Sequence, residues 1–274
     1  MLVFIYNSIP KSVRNRLGKS KALKGLRDLF LKRNGVYKER TVVINRAYLK
    51  YNMSFKYTAS IKDAVRALKY GIENTMLRNS IELIRRYDKD LDGIIVMDIG
   101  ANFGYLTTVW AKSICHKGKV IAFEPNKHVF ETLKKTIVGN SLNDIVKAEN
   151  LAVGNENKDI DLFLNNTTSN VLQISAHQKS EVVQMIRIDE YIKNNNLERC
   201  DLIKIDVDGI ELDILKGSLG TLKQLKPIFI VETNDNFDLV QFFVNNNYQV
   251  LNERLEVYEL NDFLPPNIYC VPNT

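Results

Sequence analysis

Val96-Met97-Asp98-Ile99-Gly100-Ala101-Asn102-Phe103-Gly104 decides the fold. A short apolar run breaks at two glycines and leads directly into a helical pattern beginning at Tyr105. Glycine permits the tight turn and close ligand approach that a Cβ obstructs, and the helix start beyond it offers free N–H groups. Working outward, the same texture repeats. GKVIAFEP precedes a helix from Asn126 to about Val138, DLIKIDVDG a helix from Ile210, and PIFIVET a helix from Phe237. VKAENLAVG, IDLFL, VVQMIRI, YQVL and NIYCV supply further short strands. Apolar strands alternating with helices predict an α/β, doubly wound, largely parallel sheet covered on both faces. Function is then expected at the carboxyl ends of the strands, near the point where strand order reverses.

The chain has 274 residues, of which 45% are hydrophobic and 26% charged, enough for a sizeable core and incompatible with general disorder. No apolar run reaches the roughly 18–20 residues of a membrane-spanning helix, and Met1–Pro10 lacks both the charged start and the cleavage site of a secretory signal. Cys115, Cys200 and Cys270 are odd in number and widely spaced, which excludes a disulfide framework and favours a reducing, cytoplasmic compartment. Charge is unevenly distributed. Residues 1–90 carry 21 Lys and Arg against 7 Asp and Glu, whereas residues 91–274 carry 17 against 25. We therefore expect a basic amino-terminal extension, residues 1–70, before an α/β domain, residues 71–274. Lys11–Arg40 interleaves cations with Leu17, Leu23, Leu26 and Leu29, predicting amphipathic helices. Glu39–Tyr57 reads as two short strands or a hairpin interrupted at Asn45-Arg46, and Ser60 as the N-cap of a following helix. A second helix is expected from Glu73 to Tyr87.

Two features separate the glycine loop from a dinucleotide fingerprint. Asp98 precedes the first glycine, and the spacing lacks the third glycine of G-x-G-x-x-G. A carboxylate there repels a pyrophosphate but suits a ligand with a cationic amino group. Glu124, 26 residues later, ends the second strand, where a carboxylate accepts the hydroxyls of a ribose. A ribose and an amino-acid head without phosphate describe S-adenosyl-L-methionine. Asp98, Gly100, Ala101, Asn102, Gly104, Tyr105, Glu124, Pro125 and Asp206 are the candidate cofactor residues.

These motifs resemble the FkbM family of S-adenosylmethionine-dependent methyltransferases. The matching pieces are DIGANFGY at 98–105, AFEPN at 122–126, NNTTSNVL at 165–172, RIDEYI at 187–192, KIDVDGIELDILKG at 204–217 and PIFIVE at 227–232, with YGIE at 70–73 upstream. The resemblance covers about residues 70–260. It implies a class I methyltransferase sheet of seven strands in the order 3-2-1-4-5-7-6, the last antiparallel. It also implies methyl transfer to an oxygen, a hydroxyl of a sugar, glycan or glycosylated metabolite. The family's usual Glu-Gly after K-I-D-V is here Asp208-Gly209, a carboxylate one methylene shorter.

Displacement at a sulfonium methyl needs alignment of nucleophile, methyl and sulfur, and a hydroxyl needs a base or metal to assist it. Lys204, Asp206 and Asp208 alternate along one strand and share a face. Asp206 is the first candidate for contact with cofactor or acceptor hydroxyl, and Lys204 for holding Asp206 ionised or stabilising a developing alkoxide. Asp208 and Glu232 are candidate substrate-binding residues, and His177, in the loop TTSNVLQISAHQKSE, a candidate base. Asp206, Asp208 and Glu232 can hold a divalent cation through oxygen, but carboxylates around a polyol explain them equally, so a metal is not favoured.

Three other functional classes are compatible with the fold class. A nicotinamide enzyme is disfavoured by the loop spacing. An RNA or other nucleic-acid methyltransferase would use the basic amino terminus, but the sequence has no aromatic platform among the cations. A non-catalytic cofactor-binding module would not need Asp98, Glu124 and Asp206. The basic segment, with Leu2–Ile5, predicts peripheral contact with an anionic membrane; its alternative is a helical cap completing the fold or a homodimer.

Overall fold

The computed structural model describes residues 32–33, 36–87, 92–165, 168–170, 180–207, 209–259 and 262–273. The amphipathic helices expected before residue 32, and with them the predicted membrane contact, lie outside the described residues, as do His177 and Asp208. In chain order the elements are β1 (Lys32–Arg33), β2 (Val36–Tyr37), β3 (Glu39–Tyr48), β4 (Tyr51–Ser60), α1 (Ile61–Tyr70), α2 (Asn74–Tyr87), β5 (Ile95–Ile99), α3 (Tyr105–Ala111), β6 (Lys119–Phe123), α4 (Lys127–Gly139), β7 (Val146–Glu149) and β8 (Ala152–Val153). There follow β9 (Lys158–Asn165), β10 (Thr168–Asn170), β11 (Ser180–Ile186), α5 (Ile188–Asn194), β12 (Leu202–Ile205), α6 (Glu211–Lys216), α7 (Leu219–Gln224), β13 (Ile228–Glu232), α8 (Asp238–Asn245), β14 (Tyr248–Leu251) and β15 (Asn267–Pro272).

The main sheet has seven strands in the order β14-β15-β13-β12-β5-β6-β7. β7, β6, β5, β12 and β13 run parallel, whereas β15 is antiparallel to both of its neighbours. The strand order reverses between β5 and β12, so a crevice opens beyond their carboxyl ends. Alternate residues of each central strand enter different cores. Val96, Val120, Leu202 and Ile230 join the layer containing α2, α3 and α4. Met97, Ile121, Ile203 and Phe229 join the layer containing α5, α6, α7 and α8. Burial on both faces explains why these strands read as continuous apolar runs. IDLFL and VVQMIRI do not extend this sheet. They lie in β9 and β11, which pair antiparallel in a separate four-stranded sheet of order β10-β9-β11-β8. Their alternation of polar and apolar residues suits a sheet with one wet face.

The hairpin differs from the sequence expectation in one respect. Each strand has ten residues, and Asn45-Arg46 does not interrupt β3; the reversal comes at Leu49-Lys50, with Leu49 at φ +52°. Period-2 geometry absorbs the polar pair. Val42, Ile44 and Tyr48 point inward, Asn45 faces solvent, and Arg46 donates at 2.8 Å to the Leu68 carbonyl oxygen. Beyond the hairpin, the Ser60 hydroxyl accepts from the Asp63 N–H and donates at 2.5 Å to its carboxylate, an N-cap that starts α1.

Side chains of α4 stand in for a neighbouring strand along β4. The Asn140 amide accepts from Lys56 N–H at 2.9 Å and donates to Lys56 C=O at 2.7 Å, while Thr136 bonds both backbone groups of Thr58. Phe55 and Tyr57 set edge-to-face contacts on Tyr105, and the Tyr48 hydroxyl lies 3.0 Å from that of Tyr105 while donating at 3.0 Å to Asn74 Oδ1. The hairpin therefore braces the first residue of the helix that follows the glycine loop. Tyr48→Phe, by removing the side-chain hydrogen-bond partner of the buried Tyr105 hydroxyl, is expected to lower unfolding stability by about 1 kcal/mol. Urea denaturation followed by circular dichroism measures this, and an unchanged midpoint would remove the brace from the argument.

Candidate functional site

The glycine loop is held shut by its neighbours. Gly100 adopts φ +77°, and a Cβ there would lie 2.1 Å from the Asp206 carbonyl oxygen, so only glycine lets the two strand ends meet. Asn102, at φ +50°, turns its N–H toward Glu124. Gly104, at φ +79°, begins α3 and sits over Leu133.

A cavity of about 320 Å³ opens above this loop. Asp98, Gly100, Ala101, Asn102, Tyr105, Glu124, Pro125, Lys204 and Asp206 all line it. Of the candidate cofactor residues only Gly104 is absent from the wall, where its part is to form the turn. Leu151 and Ala152 after β7, and Leu162 of β9, form an apolar side. Tyr57, Asp63, Arg66, Ile72 and Glu73, from the hairpin and α1–α2, complete the wall opposite. Nothing in the sequence analysis marks those last five as site residues. YGIE at 70–73 was the one available signal, and Arg66 had none.

At the centre is a buried ammonium. Lys204 Nζ lies 3.2 Å from the Ile99 carbonyl oxygen, 2.9 Å from that of Gly100, 3.3 Å from Asp98 Oδ1 and 3.4 Å from Asp206 Oδ2. Burial opposes its charge, but the Asp206 and Asp98 carboxylates outweigh that and raise its pKa. Four oxygens surround three N–H groups, so Lys204 has no donor left for a developing alkoxide and is arranged to hold Asp206 ionised. The Asp206 pKa is accordingly lowered; Lys204 and a hydrogen bond with Glu232 overcome its desolvation.

Asp98 is wholly buried. Its Oδ2 accepts from Thr107 Oγ1 at 2.5 Å, while Oδ1 faces Lys204 as an ion pair and accepts no hydrogen bond among the described residues. A buried acceptor left with spare capacity on a cavity wall suits a cationic donor group. Glu124 is also buried. Its Oε1 accepts from Asn126 N–H and its Oε2 from Asn102 N–H, each at 2.9 Å. Desolvation nevertheless pushes its pKa up to about 7, against the pull of those two donors. Both carboxylate oxygens are fixed in place and keep lone pairs for hydroxyl donors. A ribose and an α-amino group fit these two carboxylates, so the donor set matches S-adenosylmethionine.

Glu232 lies outside the cavity lining but hydrogen-bonds Asp206, and it receives Asn234 Nδ2 at 3.3 Å. Burial and the Asp206 charge push its pKa up to about 7, so as pH falls Glu232 takes up a proton before Asp206 does. No group of three or more metal-ligating side chains occurs among the described residues.

The model of the methyltransferase FkbM domain matches residues 98–258, more than half of the chain. The chain belongs to the FkbM methyltransferase family. A relative, the hexuronic acid methyltransferase AglP of Haloferax volcanii, is 24% identical over 144 residues, covering 53% of this chain and 57% of that protein. Methyltransferase 1 of Beauveria bassiana is 24% identical over 148 residues, covering 46% of this chain and 59% of its own length. The chain thus spans less than two thirds of the length of these two relatives. A solved FkbM methyltransferase from Methylobacillus flagellatus is 17% identical, with 66% of this chain and 44% of that chain aligned and a TM-score of 0.47. The family match begins at Asp98, so the wall built by residues 57–73 lies outside it.

Lys204→Met should destabilise the protein by about 3–5 kcal/mol, because it leaves the Asp98 carboxylate buried and unpaired. Chemical denaturation at pH 7 measures this, and a loss below about 1 kcal/mol would remove the ammonium from its structural role.

Proposed function

We propose that this chain transfers a methyl group from S-adenosyl-L-methionine to a hydroxyl of a sugar, glycan or glycosylated metabolite. The observation that carries the cofactor reading is the pairing of Glu124, clamped by two backbone N–H groups, with the buried Asp98 across one cavity. When bound, the cofactor supplies an electrophilic methyl on a sulfonium. This chain's own residues orient the acceptor and take its proton. Asp206, kept ionised by Lys204, accepts a hydrogen bond from the acceptor hydroxyl and takes its proton as the oxygen is methylated.

Support for a carbohydrate comes from three sources. Asp206 and Glu232 are hydroxyl acceptors at adjacent strand ends. Phe237 and Phe263 are exposed on the loops beside Glu232, and those loops are tied together by Thr233 donating to the Pro265 and Pro266 carbonyls. Exposed aromatic faces next to carboxylates suit the apolar and hydroxylated sides of a pyranose. The relative named for hexuronic acid methylation points the same way, so a uronic-acid glycan is the first acceptor to test. We further propose a cytoplasmic enzyme, peripherally attached to anionic membrane through its basic amino terminus. No helix among the described residues is long and apolar enough to cross a membrane.

Transfer of labelled methyl should appear in glycan pools and not in tRNA; label confined to tRNA would overturn the acceptor class. Asp206→Asn should reduce turnover by at least about a hundredfold while S-adenosylhomocysteine still binds. Wild-type turnover in that variant removes Asp206 from the mechanism.

Glu124 accepts ribose hydroxyls more strongly when ionised, and burial has raised its pKa to about 7. S-Adenosylhomocysteine affinity should therefore fall as pH drops below about 7, by up to about tenfold per unit for one coupled proton. Calorimetric titration from pH 5.5 to 8.5 tests this. Glu124→Gln should bind weakly with little pH dependence, while Glu232→Gln should keep the wild-type profile. Loss of the profile in Glu232→Gln instead would assign the titration to the wrong carboxyl.

A further inference from the structure

Taking S-adenosylmethionine as the cofactor, as proposed above, its zwitterionic head raises a problem of charge. Among the described residues, the cavity wall carries five carboxylates, on Asp63, Glu73, Asp98, Glu124 and Asp206, but two cations, Lys204 and Arg66. An amino-acid head needs an anion for its ammonium and a cation for its carboxylate. Asp98 meets the first need. Lys204 cannot meet the second, because its three N–H groups already face four protein oxygens.

Arg66 is placed differently. It lies on α1 three residues after Asp63, so the two share the helix side that borders the cavity. Among the described residues no hydrogen bond or ion pair within 4.0 Å engages its guanidinium, although its charge is felt by Glu73. Asp63 beside it is committed to the Ser60 cap. Glu73 reaches the cavity from a backbone at φ +45°, just after Gly71 at φ +75°, and it feels the charges of Asp206, Arg66 and Lys204. A non-glycine residue in the left-handed region at a cavity wall is a conformation that function commonly requires. A planar guanidinium with two parallel N–H groups is the side chain best matched to a carboxylate.

We infer that Arg66 of α1 and Glu73 of the α1–α2 turn, both upstream of residues 98–258, bind the amino-acid head of the cofactor. Arg66 pairs with its α-carboxylate, and Glu73 joins Asp98 in accepting from its α-ammonium. The amino-terminal hairpin and α1 then have a defined task, carrying the clamp that closes the methionine end of the site.

The test compares two ligands that differ only in that head, S-adenosylhomocysteine and 5′-methylthioadenosine, by isothermal titration of the full chain. Arg66→Gln should weaken S-adenosylhomocysteine by about ten- to a hundredfold and change methylthioadenosine by less than about twofold. Arg66→Lys should restore part of the loss, and Glu73→Gln should show the same ligand selectivity with a smaller loss. Unchanged melting of the ligand-free variants accompanies these results, since Arg66 supports no described hydrogen bond. Equal binding of S-adenosylhomocysteine by wild type and Arg66→Gln would overturn the inference, as would an equal loss of both ligands. Failure of the wild-type protein to bind either ligand would instead overturn the cofactor reading on which the inference rests.

Discussion

The Lys204 ammonium is the contact on which the rest of the site depends. It reaches across from β12 to the end of β5, joining two backbone carbonyls of the glycine loop to carboxylates on both strands. A buried cation is costly to desolvate, and two buried carboxylates are costlier without it. The three charges persist because each satisfies the others. Gly100 lets the backbones approach closely enough for this, since any side chain there would strike the Asp206 carbonyl. Loop shape, strand spacing and the ionisation of Asp206 are thus one arrangement.

The surrounding carboxylates are poised differently although they share a mouth. Asp206, beside the ammonium, is held ionised. Glu124 and Glu232, one desolvated and the other facing Asp206, both titrate near 7. Two carboxyls near their switching point and one permanently charged neighbour make an environment suited to accepting hydroxyl hydrogen bonds and relaying a proton. The separation comes from place in the fold and not from residue type, because all three are ordinary acidic side chains at strand ends.

The hairpin shows how a segment outside the family pattern becomes part of the same object. Val42, Ile44, Tyr48, Phe55 and Tyr57 enter the core that also contains Val96, Val120 and Trp110. Asn140 and Thr136 satisfy backbone groups along β4 that would otherwise need a neighbouring strand. By fixing Tyr105 on one side and α1 on the other, the hairpin forms the wall facing the glycine loop.

Local pattern was enough for much of this. The apolar runs from Ile95 onward announced a doubly covered sheet because burial on both faces removes polar alternation. Asp98, the two glycines and Glu124 marked the site because strand ends, turns and carboxylates each leave a signature within a few residues. Ser60 was legible as a cap for the same reason. What local pattern could not give was anything that depends on distance in the chain. Asn45-Arg46 looked like an interruption because its solvent face and its Leu68 partner were invisible. β9 and β11 read like members of the main sheet because strand character carries no pairing address. The saturation of Lys204, the coupling of Asp206 to Glu232, and the approach of Arg66 and Glu73 to the cavity arise from segments up to about 140 residues apart in sequence. Sequence alone determined which residues carry charge and which stretches fold as strand or helix, since these follow from side-chain chemistry and periodicity. Only the tertiary structure decided which charges meet, because desolvation and Coulomb energy depend on distance through space.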